Sequence, residues 1–277
     1  PKSGGNIRNL IPYHDLREWI EEADKLDEIT RVDGFDTEEE IGMASDLIMH
    51  PENANSLLFD KIKGYDEGYR ILVNFFGGKR QNMTLGFPTD FSKLELSEAY
   101  FDHQIKDMNP IPPEIVKDGP VLENVFKGDD VDLLKFPTPL WHPEDGGRFI
   151  GTGCYTVTVD PDDGWMNAGT YRIMIHDKNS TGCYICPGKH GRMHRDKYEA
   201  MGQPMPAVTV LGGDPMMFLN ACTEMPPRMS EYDIVGAMRG EPLKVIKGDI
   251  TGIPFPADAE IVLEGYVRFD NKREEGP

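Results

Sequence analysis

The run Asn109-Pro110-Ile111-Pro112-Pro113 divides this sequence into two stretches of different texture. Proline has no backbone N–H and fixes φ, so neither a helix nor a central strand passes through such a run. Before it, apolar residues recur at helical spacing. Leu16, Trp19, Ile20, Ala23 and Leu26 predict a helix over 14–27, and Ile41, Ala44, Leu47 and Ile48 predict another over 37–50 with Thr37 as N-cap. The short apolar runs Leu57–Phe59 and Ile71–Phe76, the second closed by Gly77-Gly78, predict buried strands. Residues 1–115 are therefore expected to form an N-terminal α/β domain. After the prolines, Tyr155–Val159, Ala207–Leu211 and Glu260–Val267 are β-branched runs separated by Gly, Pro and Asp. Residues 116–277 predict a mainly antiparallel barrel or sandwich with one or two short helices.

Charge limits the partners. Lys+Arg 29 against Asp+Glu 48 leaves a net charge of −19, a surface that repels nucleic-acid phosphates and anionic membranes. An anionic ligand would need local arginines, lysines or metal ions. No apolar run reaches the roughly 18 residues of a membrane span, and no secretory signal opens the sequence. Four cysteines are too few for a disulfide framework, so a cytoplasmic protein is expected. Opening on Pro1 and closing on Pro277 within a charged stretch, the sequence reads as trimmed or as part of something longer.

Single motifs say little. Cys183-x-x-Cys186 lacks the second ligand pair of a structural zinc site and sits at a strand end, so it reads as structural or incidental. His190 and His194 would share a helix face, but Gly191 stands where a metallopeptidase carries Glu. The turns Asp145–Arg148 and Leu211–Pro215 fit neither the dinucleotide nor the P-loop pattern, though their glycines would let a backbone approach a phosphate. In Trp165–Arg172, a strand would alternate Asn167, Gly169 and Tyr171 with Ala168, Thr170 and Arg172; bringing Asn167 and Arg172 to one rim would need a turn at Gly169.

Taken in order, these pieces resemble the UbiD family of reversible decarboxylases, which use prenylated flavin mononucleotide. Asn167-x-x-x-x-Arg172 resembles its signature. Asp145-Gly146-Gly147-Arg148 precedes it, and Lys189-His190-Gly191, Leu211–Pro215, Ser230-Glu231-Tyr232-Asp233 and Ala259–Gly265 follow in the family's order. The closing Glu275-Gly276-Pro277 is similar to the start of the family's Glu-Gly-Pro-Phe-Gly-Glu. The resemblance spans essentially the whole chain.

The resemblance implies a split β-barrel of flavin-reductase type for 116–277, with the family's C-terminal α/β domain and its principal acid, the last Glu of that motif, outside this sequence. It implies Asn167, His190 and Glu231 as ligands of a divalent ion such as Mn2+. It also implies a K+ held by Glu231 and carbonyls near Trp165 and Ala221–Thr223. Cofactor contacts would come from Thr152, Thr170, Tyr171, Arg172, Lys189, His190, Ala221, Cys222, Thr223 and Glu231. Arg172 would face the substrate carboxylate and pair with Glu275, as a guanidinium fork suits a carboxylate. The implied reaction is non-oxidative, reversible decarboxylation of an aromatic, heteroaromatic or α,β-unsaturated acid, releasing or taking up CO2. A flavin prenyltransferase would supply the cofactor, and the assembly would be a homodimer or larger homo-oligomer. Two rivals stand beside this: a non-catalytic or partial cofactor-binding subunit of a multi-subunit carboxylase, and a split-barrel flavin reductase without metal.

Overall fold

The computed structural model describes residues 11–51, 54–102, 106 and 108–275. The first part is a three-stranded sheet with helices on both faces. Strand β1 (Ile29–Asp33) runs parallel to β2 (Ser56–Asp60), which pairs antiparallel with β3 (Ile71–Val73). Alternation along β2 assigns each face its cover. Leu58 packs against Trp19 and Ile20 of α1 (Leu16–Lys25) and Met83 of α3 (Gly78–Thr84), while Leu57 and Phe59 pack with Ile41 of α2 (Glu40–Met49). Helix α4 (Lys93–Tyr100) follows, opened by a Ser92/Glu95 capping box.

Two expectations change here. Thr37 does not cap α2. The Asp36 carboxylate accepts from the backbone N–H of Glu38, Glu39 and Glu40, and the helix starts three residues later than Thr37. Strand β3 stops at Val73 because Asn74 turns into the left-handed region (φ 61) and sends Phe75 and Phe76 onto Phe218. Strand β1 was not foreseen; its burial alternates only weakly, so no clear period of two marks it.

Beyond the prolines, Glu114–Ile115 (β4) pairs in parallel with β11 (Lys244–Lys247), which also pairs with β12 (Pro254–Pro256). A second sheet joins β5 (Phe149–Gly151), β8 (Ile173–Asp177) and β9 (Ser180–Cys183). The central sheet runs β13 (Ile261–Val267), β10 (Met205–Leu211), β6 (Cys154–Val159), β7 (Met166–Gly169), antiparallel throughout. None of these sheets closes on itself among the described residues. Three helices accompany them rather than one or two: α5 (His190–Ala200), α6 (Pro215–Cys222) and α7 (Glu231–Arg239).

One face of the central sheet is apolar. Tyr155, Val157, Ala168, Val208 and Val210 bury against Met216, Met217, Ile234 and Val235 of α6 and α7. The alternate residues Thr156, Thr158 and Thr209 face the other way, a buried polar row with Thr156 and Thr209 hydroxyls 2.8 Å apart. The two parts lock through Arg239, whose guanidinium meets the Asp214 carboxylate at 2.7 Å and donates to the Tyr13 carbonyl. With both charges almost fully buried, removal of either partner alone would leave an uncompensated ion.

Candidate active site: a small polar cavity beside a basic groove

The central sheet ends at β7, and an edge strand exposes unpaired backbone groups. Here Glu231, the first residue of α7, covers the edge: its carboxylate accepts the Ala168 N–H at 2.7 Å. Glu231 is 2% exposed and, among the described residues, no cationic side chain pairs with it. Burial therefore pushes its pKa up to about 7, only partly offset by the Ala168 N–H. Asn167, one residue earlier on β7, is also buried, and its Nδ2 has no hydrogen-bond partner. A buried carboxylate without a counter-ion and a buried amide without a partner are both costly alone.

These two groups line a cavity of about 60 Å3 together with His190, Lys189, Tyr171, Thr170 and residues 221–225. The volume suits an ion with one or two oxygen atoms, not a ring system. Its walls are built by close backbone approach. A Cβ at Gly169 or at Gly191 would strike the Tyr171 hydroxyl, so the phenol is clasped between two glycines. That hydroxyl accepts the Gly191 N–H at 3.2 Å in the first turn of α5. Burial raises the Tyr171 pKa, keeping the phenol neutral, while Asn167 is near enough to act on it without completing a hydrogen bond.

The break at Gly169 does not bring Asn167 and Arg172 to one rim. After Gly169 the chain leaves β7, crosses to the second sheet through 170–172 and enters β8 at Ile173. Thr170 donates its N–H to the Ala221 carbonyl on the way. The crossing sends Arg172 into a different space, an open groove of about 1820 Å3. There Arg172 lies over the Phe149 ring, centroid distance 4.8 Å, and its Nε donates to Glu275 at 2.9 Å. The Arg172 Nη atoms make no hydrogen bond among the described residues, so a fork remains for a carboxylate.

The groove inverts the protein's overall charge. Ten lysines and arginines line it against five carboxylates, although the chain carries 29 basic and 48 acidic residues. Its floor is the polar row of the sheet, Thr156 and Thr209, with Ala207 and Gly265 beside them.

The structure thus brings together Asn167, Thr170, Tyr171, Lys189, His190, Ala221, Cys222, Thr223 and Glu231 at the cavity, and Arg172 with Glu275 in the groove. Thr152 stands apart, exposed in the bend between β5 and β6. Trp165 does not line the cavity; its carbonyl accepts the Asp160 N–H at 2.8 Å, and its ring meets His190 edge-on at 4.8 Å. No cluster of three His, Cys, Asp or Glu suited to a metal occurs among the described residues, so any ion here would need the Asn167 amide. Sequence reasoning missed Thr158, which bonds His194 at 2.9 Å. A threonine in the middle of an apolar strand, four-residue histidine spacing nearby, was the available signal.

The paired cysteines bring no chemistry. Cys183 ends β9 and is pushed up to about 12 by burial, whereas Cys186 is exposed, and all four cysteines are free thiols.

Residues 114–277, more than half of the chain, match the family model described as UbiD, 3-octaprenyl-4-hydroxybenzoate carboxy-lyase Rift-related domain. Pyrrole-2-carboxylic acid decarboxylase of Pseudomonas aeruginosa is 39% identical over 168 residues, 61% of this chain and 34% of that protein. Phenolic acid decarboxylase of Streptomyces sp. (strain D7) is 32% identical over 276 residues, 96% of this chain and 57% of that one. Among solved structures, closed vanillic acid decarboxylase of Sedimentibacter hydroxybenzoicus (ShVdcCD) superposes with a TM-score of 0.84 at 30% identity, covering 92% of this chain and 55% of the other. An evolved dimeric form of the UbiD-class enzyme HmfF from Pelotomaculum thermopropionicum, in complex with prFMN, gives 0.83 at 26% identity, over 96% and 60%. The chain spans little more than half the length of the relatives it matches end to end.

Proposed function

The chain belongs to the UbiD family, and from that membership we propose that it forms the metal- and flavin-binding part of a decarboxylase acting on an aromatic, heteroaromatic or α,β-unsaturated carboxylic acid. The observation that carries this reading is the pairing of a small cavity holding a lone buried carboxylate with a basic groove presenting Arg172. We read 1–115 as an α/β unit and 116–277 as a split barrel whose sheets surround that groove.

Asn167, His190 and Glu231 would hold Mn2+ or a similar divalent ion. Two oxygen donors and an imidazole suit such an ion, and its charge would answer the uncompensated Glu231. Lys189 at the cavity mouth and the first turn of α5 would favour the flavin phosphate beside it. A K+ site would use Glu231 with carbonyls of 221–223. When bound, prenylated FMN supplies the electron sink that decarboxylation requires. The chain's own part is to place the substrate carboxylate on the Arg172 Nη fork, with Glu275 on Nε fixing the guanidinium plane. The same geometry serves the carboxylation direction at high CO2.

We also propose an oligomeric or multi-subunit assembly, as the ShVdcCD complex and the dimeric HmfF form suggest by analogy.

The test is reconstitution with prenylated FMN and Mn2+, then assay of CO2 release from pyrrole-2-carboxylic, phenolic and cinnamic-type acids. Turnover of at least one class, lost without Mn2+, is the expected result. FMN-dependent reductase activity with no decarboxylation would overturn the reading.

A further inference from the structure

The three proposed ligands sit on three separate elements: Asn167 on β7, His190 in the first turn of α5, Glu231 in the first turn of α7. Something must hold those elements in register to a few tenths of an ångström for a metal to find all three. The indole of Trp165 joins them. Its ring meets His190 at 4.8 Å and His194 at 5.0 Å, edge-on to both, and its Nε1 donates at 3.2 Å to the carbonyl of Met229, two residues before Glu231.

His194 completes the frame from beneath. It lies one helical turn beyond His190, is 0% exposed, and its Nδ1 is 2.9 Å from the Thr158 hydroxyl. Thr158 is the cross-strand partner of Asn167. One side-chain hydrogen bond and one cross-strand pairing therefore link the helix that carries His190 to the strand that carries Asn167. The Asp160 carboxylate, 3.8 Å from Nε2, favours a proton there, so Nδ1 accepts from the Thr158 hydroxyl. Burial holds the ring neutral, with a pKa lowered to about 4.

A core histidine chosen for packing alone is the competing account. It explains the contact with Trp165 but not the polarity. An apolar pair at 158 and 194 would fill the same volume without burying two polar groups, and without leaving Nε2 with no hydrogen-bond partner. A directed bond at this point fixes rotation. A one-residue slip of α5 would turn His190 by about 100° around the helix axis.

We propose that His194 is a positioning residue of the metal site: bonded to Thr158 and braced on Trp165, it sets the rotation of α5 and so the approach of the His190 imidazole to Asn167 and Glu231. This rests on the reading that those three residues hold the ion.

The experiment measures Mn2+ affinity and thermal unfolding on the same chelator-stripped samples of the full chain. The variants are H194F, H194N, T158V, the H194F/T158V double and H190A, with free Mn2+ read by electron paramagnetic resonance. H194F and T158V should each weaken Mn2+ binding by roughly 10- to 100-fold, the range for residues that orient a ligand. The double variant should be no weaker than H194F alone. H194N, whose Oδ1 takes the place of Nδ1, should recover most of the loss. Affinity within twofold of wild type in H194F or T158V, or additive losses in the double, would overturn the proposal. So would losses that follow the melting temperature alone. Should H194F fail to fold, T158V, which keeps the ring, decides. Wild-type affinity in H190A, or no Mn2+ binding by the parent chain, would instead remove the metal assignment and this proposal with it.

Discussion

The cavity and the groove share the segment 167–172 yet are opposite in character. The cavity is small, polar, and short of positive charge around Glu231. The groove is thirty times larger, open, and basic within an acidic protein. That contrast sorts the ligands. A compact cation answers a buried carboxylate, while a large anion needs area and free guanidinium. The crossing at Gly169–Ile173 assigns consecutive residues to the two spaces, Tyr171 to the first and Arg172 to the second.

If that division holds, the largest effect should come from the groove. Arg172→Ala should retain flavin but lose about 2–5 kcal/mol of transition-state binding, roughly 30-fold to several thousand-fold in kcat/KM. Steady-state kinetics beside the flavin absorbance checks it; loss of flavin together with activity would merge the two spaces.

The glycine clasp comes next. Gly169→Ala or Gly191→Ala forces the Tyr171 ring aside and should cost about 1–3 kcal/mol of stability, with weaker metal retention, because the ring is buried and lines the cavity. Denaturant unfolding and metal analysis together measure this. Unchanged stability in both variants would show the clasp is slack.

The third effect is a pH dependence confined to the cavity. Glu231 has a folded-state pKa raised to about 7, above its unfolded value, so its ionisation costs stability as pH rises from roughly 4.5 to 7. Metal-free protein should therefore lose stability over that window, and Glu231→Gln should lose less. Mn2+ needs the carboxylate, so its affinity should climb by up to about tenfold per pH unit below 7 and level off above. Calorimetric titration at several pH values shows whether the slope is there, and a flat profile would place the ion elsewhere.

Last and smallest, Cys186→Ser should change stability by less than about 0.5 kcal/mol and leave metal and flavin content alone, because that exposed thiol belongs to neither space. A measurable loss of either ligand would give the cysteine pair a role it does not have here.

Much of the fold is legible in the sequence. Of the five strongest periodic segments, 14–27, 37–50 and 260–267 contain their element, while 155–159 and 207–211 fall one and two residues short of the start of theirs. Periodicity survives because each buries one defined face. The departure at Gly169 is legible only as the condition for one shared rim; the chain does leave β7 there, yet Asn167 and Arg172 end in different spaces. Short β1 escaped because neighbouring helices, not its own pattern, decide its burial. Asp36 outcompeted Thr37 as a cap because its carboxylate reaches three N–H groups at once.

The site was legible only as an ordered set of motifs. Asn167, His190 and Glu231 lie up to 64 residues apart, and nothing in their spacing brings them to one cavity. The His194–Thr158 bond was illegible for the same reason: it joins a helix to a strand 36 residues earlier. That the sheets stay open among the described residues was not readable either, since which strands pair depends on packing that no local pattern encodes.

The most direct test of the central claim is an anomalous-difference map from crystals grown with Mn2+ and FMN. A manganese peak is expected within coordination distance of Asn167, His190 and Glu231, with the phosphate beside it and the ring over the Thr156–Thr209 floor. A manganese peak on other carboxylates, such as Asp160 and Asp162, with the cavity at Glu231 empty, would contradict it.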